Sequence, residues 1–186
     1  MAKSVELGLP EKMEIHYYDE YIHLVRKWFS WKILIVYPFF LIFSLTFFRV
    51  FTDLRIREDY STGAVLLLYI LFVIAVGTAY NALAGSINKT NIYVSKDAIK
   101  IEHVPLPWVG NKRINVSEIE QLYSKEKISR GENGLNVNYE IYIIMKNGVN
   151  IRLLAGLETS EQALFIEQEI EKYFGIEGIK VDGEIE

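Results

Sequence analysis

The sequence predicts an α+β membrane protein, in which a transmembrane helical hairpin is joined to an antiparallel β-sheet domain. Three observations predict it. Two long apolar runs lie at residues 33–48 and 64–84, a pattern of alternating polarity begins near Asn88, and an amphipathic stretch begins at Thr159. The chain of 186 residues has room for one such hairpin and one domain of ordinary size.

Each apolar run is close to the roughly 20 residues needed to cross a hydrocarbon core about 30 Å thick. We therefore expect a transmembrane hairpin over residues 31–85, with helices at about 31–51 and 63–85. Trp28, Trp31 and Lys32 before the first run are typical of a membrane interface. An even number of spans puts both flanks on one side, and the distribution of Lys and Arg favours cytoplasmic termini.

The second run contains small residues at four-residue spacing, which lets helices approach closely. Ala75 and Ala79 form one such pair and Thr78 and Ala82 the other. Their partner is either the Phe-rich first run or a different membrane protein. Neither run has a charge at its centre, which argues against transport.

The segment 1–30 allows two interpretations of residues 13–28. A β-hairpin around Asp19 and Glu20 is favoured by the Tyr and Ile content, and it would pack with the later sheet. An interfacial helix is the alternative, with one face formed by Tyr18, Ile22, Val25 and Phe29.

Residues 86–186 are predicted to form a cytoplasmic domain of several strands closed by one helix. Asn147 and Gly148 form the strongest two-residue turn signal, and Asn133 with Gly134 marks a looser loop. A helix begins after Thr159, where Gln162 completes a capping box, and Gly175 ends it. The predicted strands are 91–95, 98–103, 112–116, 119–128, 139–146 and 149–154. This order predicts a sheet or barrel closed by a C-terminal helix, as in pleckstrin-homology-like domains.

Composition excludes several classes of function. The net charge of -4 argues against a nucleic-acid partner, and without cysteine there is no thiolate catalysis. His16, His23 and His103 lack metal-ligand spacing, and no glycine-rich phosphate loop follows a strand. We therefore expect no metal, no cofactor and no catalytic residues, which leaves an enzyme as a remote option.

Two stretches stand out as candidate contact sites. The loop from Pro105 to Asn111 combines two prolines, a glycine and Trp108, which indicates a rigid turn presenting an aromatic ring unless that ring fills the core. A cationic strip runs from Lys125 to Arg130, although Glu126 and Glu132 dilute its charge and it could be a solvated strand. The candidate residues for contact with a partner or a headgroup are Trp108, Asn111, Lys112, Arg113, Lys125, Lys127 and Arg130.

At these positions the chain resembles a family of short, uncharacterised bacterial two-span membrane proteins, found in cyanobacteria and other bacteria. The shared sequence motifs are spread over most of the chain. They are Trp28-Phe-Ser, Ala84-Gly, Asn88-Lys-Thr, Pro105-Leu-Pro-Trp-x-Gly-Asn111, Gln121-Leu-Tyr, Glu126-Lys-Ile-Ser-Arg130, Asn133-Gly, Gly156-Leu-Glu, Ala163-Leu-Phe-Ile-Glu-Gln168 and Gly175-Ile. The layout is also similar to that of the two-span photosystem I assembly factor. The resemblance implies a bacterial inner or thylakoid membrane and a role in assembling a membrane complex.

Together these features predict a non-catalytic, membrane-anchored module that binds an integral membrane protein complex during assembly or regulation. The complex would be photosynthetic if the source is a cyanobacterium. Recognition of anionic lipid headgroups by the same cationic strip is the alternative. The oligomeric state stays open.

Overall fold

The computed structural model describes residues 8–56, 61–131, 134–176, 178, 181 and 183–185. The chain divides into two compact units, a helical unit at Trp28–Asn88 and a sheet unit at Met1–Lys27 and Lys89–Glu186. The helical unit therefore interrupts the sheet unit in sequence.

The helical unit consists of a 3₁₀ turn at Trp31–Ile35, helix α1 at Val36–Ile56 and helix α2 at Thr62–Ile87. Ser61 caps α2 by accepting a hydrogen bond from the Ala64 amide at 3.2 Å. The segments Trp31–Asp53 and Thr62–Ile87 have mean hydropathies of 2.1 and 2.3 and are long enough to cross a membrane. Phe47 of α1 lies against Phe72 of α2, with ring centroids 5.5 Å apart.

In the part of the sheet unit that the structure describes, eight antiparallel strands form two sheets, of five and three strands, which follow chain order. The five-stranded sheet contains β1 at Met13–Tyr17, β2 at Tyr21–Lys27, β3 at Lys89–Ser95, β4 at Ala98–Val104 and β5 at Lys112–Asn115. The three-stranded sheet contains β6 at Ile119–Gly131, β7 at Gly134–Met145 and β8 at Asn150–Leu157. Residues 13–27 thus form a β-hairpin and not an interfacial helix, and β2 pairs along its whole length with β3.

Of the two predicted forms, a sheet or a barrel closed by a helix, the barrel is wrong. Among the described residues no ladder joins β5 to β6 or β8 to β1, so the two sheets remain separate. The physical reason lies at residues 115–119, where β5 ends after four residues and a 3₁₀ turn at Val116–Glu118 redirects the chain. Lys146 donates a backbone hydrogen bond to Glu118 there, which anchors the turn to the end of β7.

Helix α3 at Ser160–Phe174 completes the sheet unit and packs mainly on β6, β7 and β8. Thr159 accepts a hydrogen bond from the Gln162 amide at 3.3 Å, and Gly175 ends the helix in the left-handed conformation with φ 65°. The apolar side chains of α3 pack with those of both sheets in one hydrophobic core. The fully buried residues of this core include Leu24, Ile92, Ile101, Leu122, Ile141, Ile143, Leu157, Ile166 and Ile170.

Candidate functional site

Strands β6 and β7 extend beyond the rest of their sheet as a two-stranded hairpin. The last pair between β7 and β8 is Tyr139 with Leu157, whereas β6 and β7 remain paired as far as Gly131 with Gly134. We call residues 126–131 and 134–138 the β6–β7 ribbon. Among the described residues no third strand pairs with this ribbon, so its edges have unpaired backbone groups.

One face of the β6–β7 ribbon is apolar and exposed. Directly opposed residues of an antiparallel pair share a face, so the pairs Ile128 with Val137 and Arg130 with Leu135 lie together. Ile128 is 59% exposed, Leu135 70% and Val137 37%. Glu126 lies on the same face, so one acid and one base flank the apolar residues. Adjacent exposed apolar side chains of this kind mark interaction surfaces.

The opposite face of the ribbon is polar, and an ion network lies at its base. The Glu140 carboxylate, only 5% exposed, accepts hydrogen bonds from Lys127 at 3.0 Å, from Arg152 at 3.1 Å and from the Tyr142 hydroxyl at 2.7 Å. Burial alone would raise the pKa of Glu140, but the hydrogen bonds from Tyr142 and Lys127 and the charge of Arg152 outweigh it and lower that pKa. Lys127 is therefore already paired within the protein, and it shares Glu140 with Arg152.

The structure divides the predicted cationic strip. Because side chains alternate along a strand, Lys125 and Lys127 lie on the polar face of β6 and Arg130 lies on the apolar face. Lys125 stands opposite Glu140 on β7, and on its outer side it forms an isolated bridge with Glu184. The three cations do not form one surface.

Lys112 and Arg113 do not join the other predicted cations on one surface either. The Lys112 ammonium donates to the Arg152 carbonyl at 2.7 Å, and burial, together with the charge of Arg152, lowers the pKa of Lys112. Arg113 is exposed on β5, where it stands opposite Lys100 of β4.

The loop between β4 and β5 has the tight shape that its prolines and glycine predict. The Asn111 side chain accepts a hydrogen bond from the His103 amide at 2.8 Å, and Gly110 has a φ of +110° that favours glycine. Trp108 is half-buried, whereas Val109 is 84% exposed. The apolar side chain that this loop presents most fully is thus Val109.

The small residues of α2 lie where the first helix packs. Ala75 and Thr78 line a cavity together with Val36, Phe39, Phe40 and Phe43 of α1. Ala79 is half-buried, and Ala82 is buried beneath Tyr37, whose hydroxyl bonds Ser86 at 2.7 Å. This arrangement corresponds to packing against the first run.

Two glutamates of α3 have strongly perturbed acidity. Burial raises the pKa of Glu167 to about 7, a nearby Ser124 hydroxyl opposes the shift, and Glu171 and Glu184 add to it. Burial and Glu184 raise the pKa of Glu171 to about 7 as well. Perturbed carboxylates occur at catalytic sites, but Glu167 is 5% exposed and packs in the core, which gives a substrate no access. No group of His, Cys, Asp and Glu among the described residues has metal-binding geometry.

The ribbon is the feature that sequence reasoning missed. Residues 134–138, Gly-Leu-Asn-Val-Asn, contain a glycine and two asparagines, which are depleted in strands. The available signal was the alternation itself, since Leu135 and Val137 have the same two-residue period as Tyr139 and Ile141.

Comparison with known proteins adds no assignment to this geometry. No family model matches the chain, and no curated protein matches it.

Proposed function

We propose that this protein is a non-catalytic interaction module anchored in a membrane, and that the apolar face of the β6–β7 ribbon binds an integral membrane protein complex during its assembly or regulation. The observation that carries the proposal is the exposure of Ile128, Leu135 and Val137 side by side on a ribbon beyond the core. A soluble domain has no structural need to expose this surface, because the core is complete without it.

The helical unit supports anchoring in a membrane. Its apolar side chains remain open along both helices, as at Phe39, Leu45, Leu66 and Tyr69, which are all more than half exposed. In water this surface would be strongly unfavourable, whereas hydrocarbon covers it at no cost. We place both termini in the cytoplasm of a bacterial inner or thylakoid membrane, on the Lys and Arg distribution and the family resemblance.

A protein fits the ribbon better than an anionic bilayer does. On the apolar face the flanking charges of Glu126 and Arg130 sum to zero. Headgroup binding would need unpaired positive charge there. A protein surface can instead match one acid and one base at the rim of an apolar contact. Because both proteins are confined to one membrane, a small contact suffices.

The test is affinity purification of the tagged full-length protein from gently solubilised native membranes, followed by mass spectrometry. The variant Ile128→Asp with Leu135→Asp places charges on the apolar face, and Val149→Asp is the matched control at an exposed residue in the turn between β7 and β8. We expect the double variant to lose the co-purifying membrane complex and the control to retain it. Unchanged recovery with the double variant would refute the proposal.

A further inference from the structure

The outer face of the five-stranded sheet contains a groove whose lining combines aromatic and charged side chains. One cross-strand row runs through all five strands, because His16 pairs with His23, His23 with Tyr93, Tyr93 with Lys100 and Lys100 with Arg113. The groove has a volume of about 550 Å³, within the range of small-molecule sites. Its aromatic and charged lining side chains are Tyr21, Tyr93, Glu20, Lys96, Asp97, Lys100 and Arg113.

The cationic half of the groove lies on β4 and β5. Lys100 and Arg113 stand directly opposite each other, and like charges in this relation destabilise a sheet. Glu102 offsets Lys100 at 2.7 Å, but Arg113 has no ion-pair partner among the residues that the structure describes. An anion between the two cations would relieve their repulsion, and a phosphate accepts hydrogen bonds from both.

The other half of the groove, on β2 and β3, is aromatic and acidic. Tyr21 and Tyr93 lie with ring centroids 6.1 Å apart, and each ring is supported from behind, Tyr21 by Tyr18 at 4.6 Å and Tyr93 by His23 at 4.4 Å. Glu20 in the turn between β1 and β2 lines the same end. Tyrosine rings next to a carboxylate suit an organic ammonium group, which the ring quadrupole attracts.

We propose that this groove binds a phosphodiester that also carries an amine, with the phosphate between Lys100 and Arg113 and the ammonium group beside Tyr21 and Glu20. The opposite charges of Glu20 at one end and of Lys100 with Arg113 at the other match a zwitterion better than a dianion, because Glu20 would repel a second negative group. Lys96 and Asp97, in the turn between β3 and β4, also line the groove and carry opposite charges that offset each other. The ligand is therefore an ethanolamine or choline phosphodiester, either as a lipid headgroup or as the free soluble ester.

This site is independent of the proposed function. It lies on β2 to β5, whereas the ribbon lies on β6 and β7. A substitution that abolishes binding in the groove should therefore leave binding by the β6–β7 ribbon intact, and the reverse.

The experiment is isothermal titration calorimetry of the full-length protein in a non-ionic detergent with two soluble probes. Glycerophosphoethanolamine carries the amine, and glycerophosphoglycerol has the same phosphodiester without it. We expect the amine probe to bind about fivefold more tightly, as one partly exposed ion pair allows.

Variants separate the two halves of the groove. Arg113→Ala should weaken both probes about tenfold, because it removes a charge-assisted hydrogen bond to the phosphate. Glu20→Gln should weaken only the amine probe, to the level of the other. Lys146→Ala, at an exposed lysine outside the groove, should change neither. Equal binding of both probes, or binding that Arg113→Ala leaves unchanged, would overturn the proposal.

The same titration in vesicles assigns the source of the ligand. In vesicles that contain phosphatidylethanolamine, a headgroup in the groove would compete, so the amine probe would bind more weakly than in vesicles of phosphatidylglycerol alone. Equal affinity in the two kinds of vesicle would assign the site to the soluble ester.

Discussion

The substitution Glu167→Gln should stabilise the sheet unit at neutral and alkaline pH and leave it unchanged in acid. Glu167 is 5% exposed on α3, and its Oε2 atom has no hydrogen-bond partner among the described residues. Glutamine keeps the shape of the side chain and cannot ionise. The variant therefore isolates the effect of burying an acid.

The magnitude follows from the difference in acidity between the folded and unfolded states. Burial raises the pKa of Glu167 from 4.5 to about 7, so between these values the folded protein retains a proton that the unfolded chain releases. The free energy of unfolding must then fall as the pH rises from about 4.5 to about 7, and it levels off above the folded pKa. At about 1.4 kcal/mol for each pH unit, the loss is about 3 kcal/mol.

Thermal unfolding of the full-length protein in detergent measures this effect. The chain has three tryptophans, so replacing Trp28 and Trp31 with Phe leaves Trp108 as a fluorescence reporter for the sheet unit. We expect Glu167→Gln to raise the midpoint at pH 8 and not at pH 4.5. Glu120→Gln, the same change at an exposed residue, should have no effect at either pH. Destabilisation by Glu167→Gln that is equal at both pH values would refute this reasoning.

Three further changes test the geometry of the sheet unit by the same assay. Gly110→Ala should cost about 1 to 3 kcal/mol, because φ is +110° and an added Cβ would lie 3.0 Å from Nε2 of His103. Thr159→Ala should cost about 1 kcal/mol, since it removes the cap of α3, whereas Thr159→Ser should retain most of that stability. Glu140→Gln should cost about 2 kcal/mol, because its hydrogen bonds involve charged partners. Because the pKa of Glu140 is lowered in the folded state, this cost should be present at neutral pH and shrink as the pH falls through that pKa.

Features that depend on neighbouring residues could be predicted from the sequence. The Thr159 cap and the left-handed Gly175 each use a few adjacent residues, and the structure has both. The two apolar helices likewise follow from runs that need no partner to be identified.

Features that depend on distant residues could not be predicted. The sheets do not close into a barrel because a 3₁₀ turn after β5 redirects the chain before β6. No sequence pattern specifies which strand edges will pair. The groove needs His23 beside Tyr93, which the whole helical unit separates in sequence. The division of the cationic strip could have been foreseen, because residues at odd and even positions of one strand face opposite sides.

Site-specific photo-crosslinking in native membranes tests the central claim, that the apolar face of the β6–β7 ribbon binds a membrane protein, most directly. A photoreactive amino acid at Leu135 lies on that face, whereas one at the next residue, Asn136, lies on the opposite face. We predict a crosslinked membrane protein from position 135 and none from position 136. Equal crosslinking from both positions, or none from position 135, would contradict the claim.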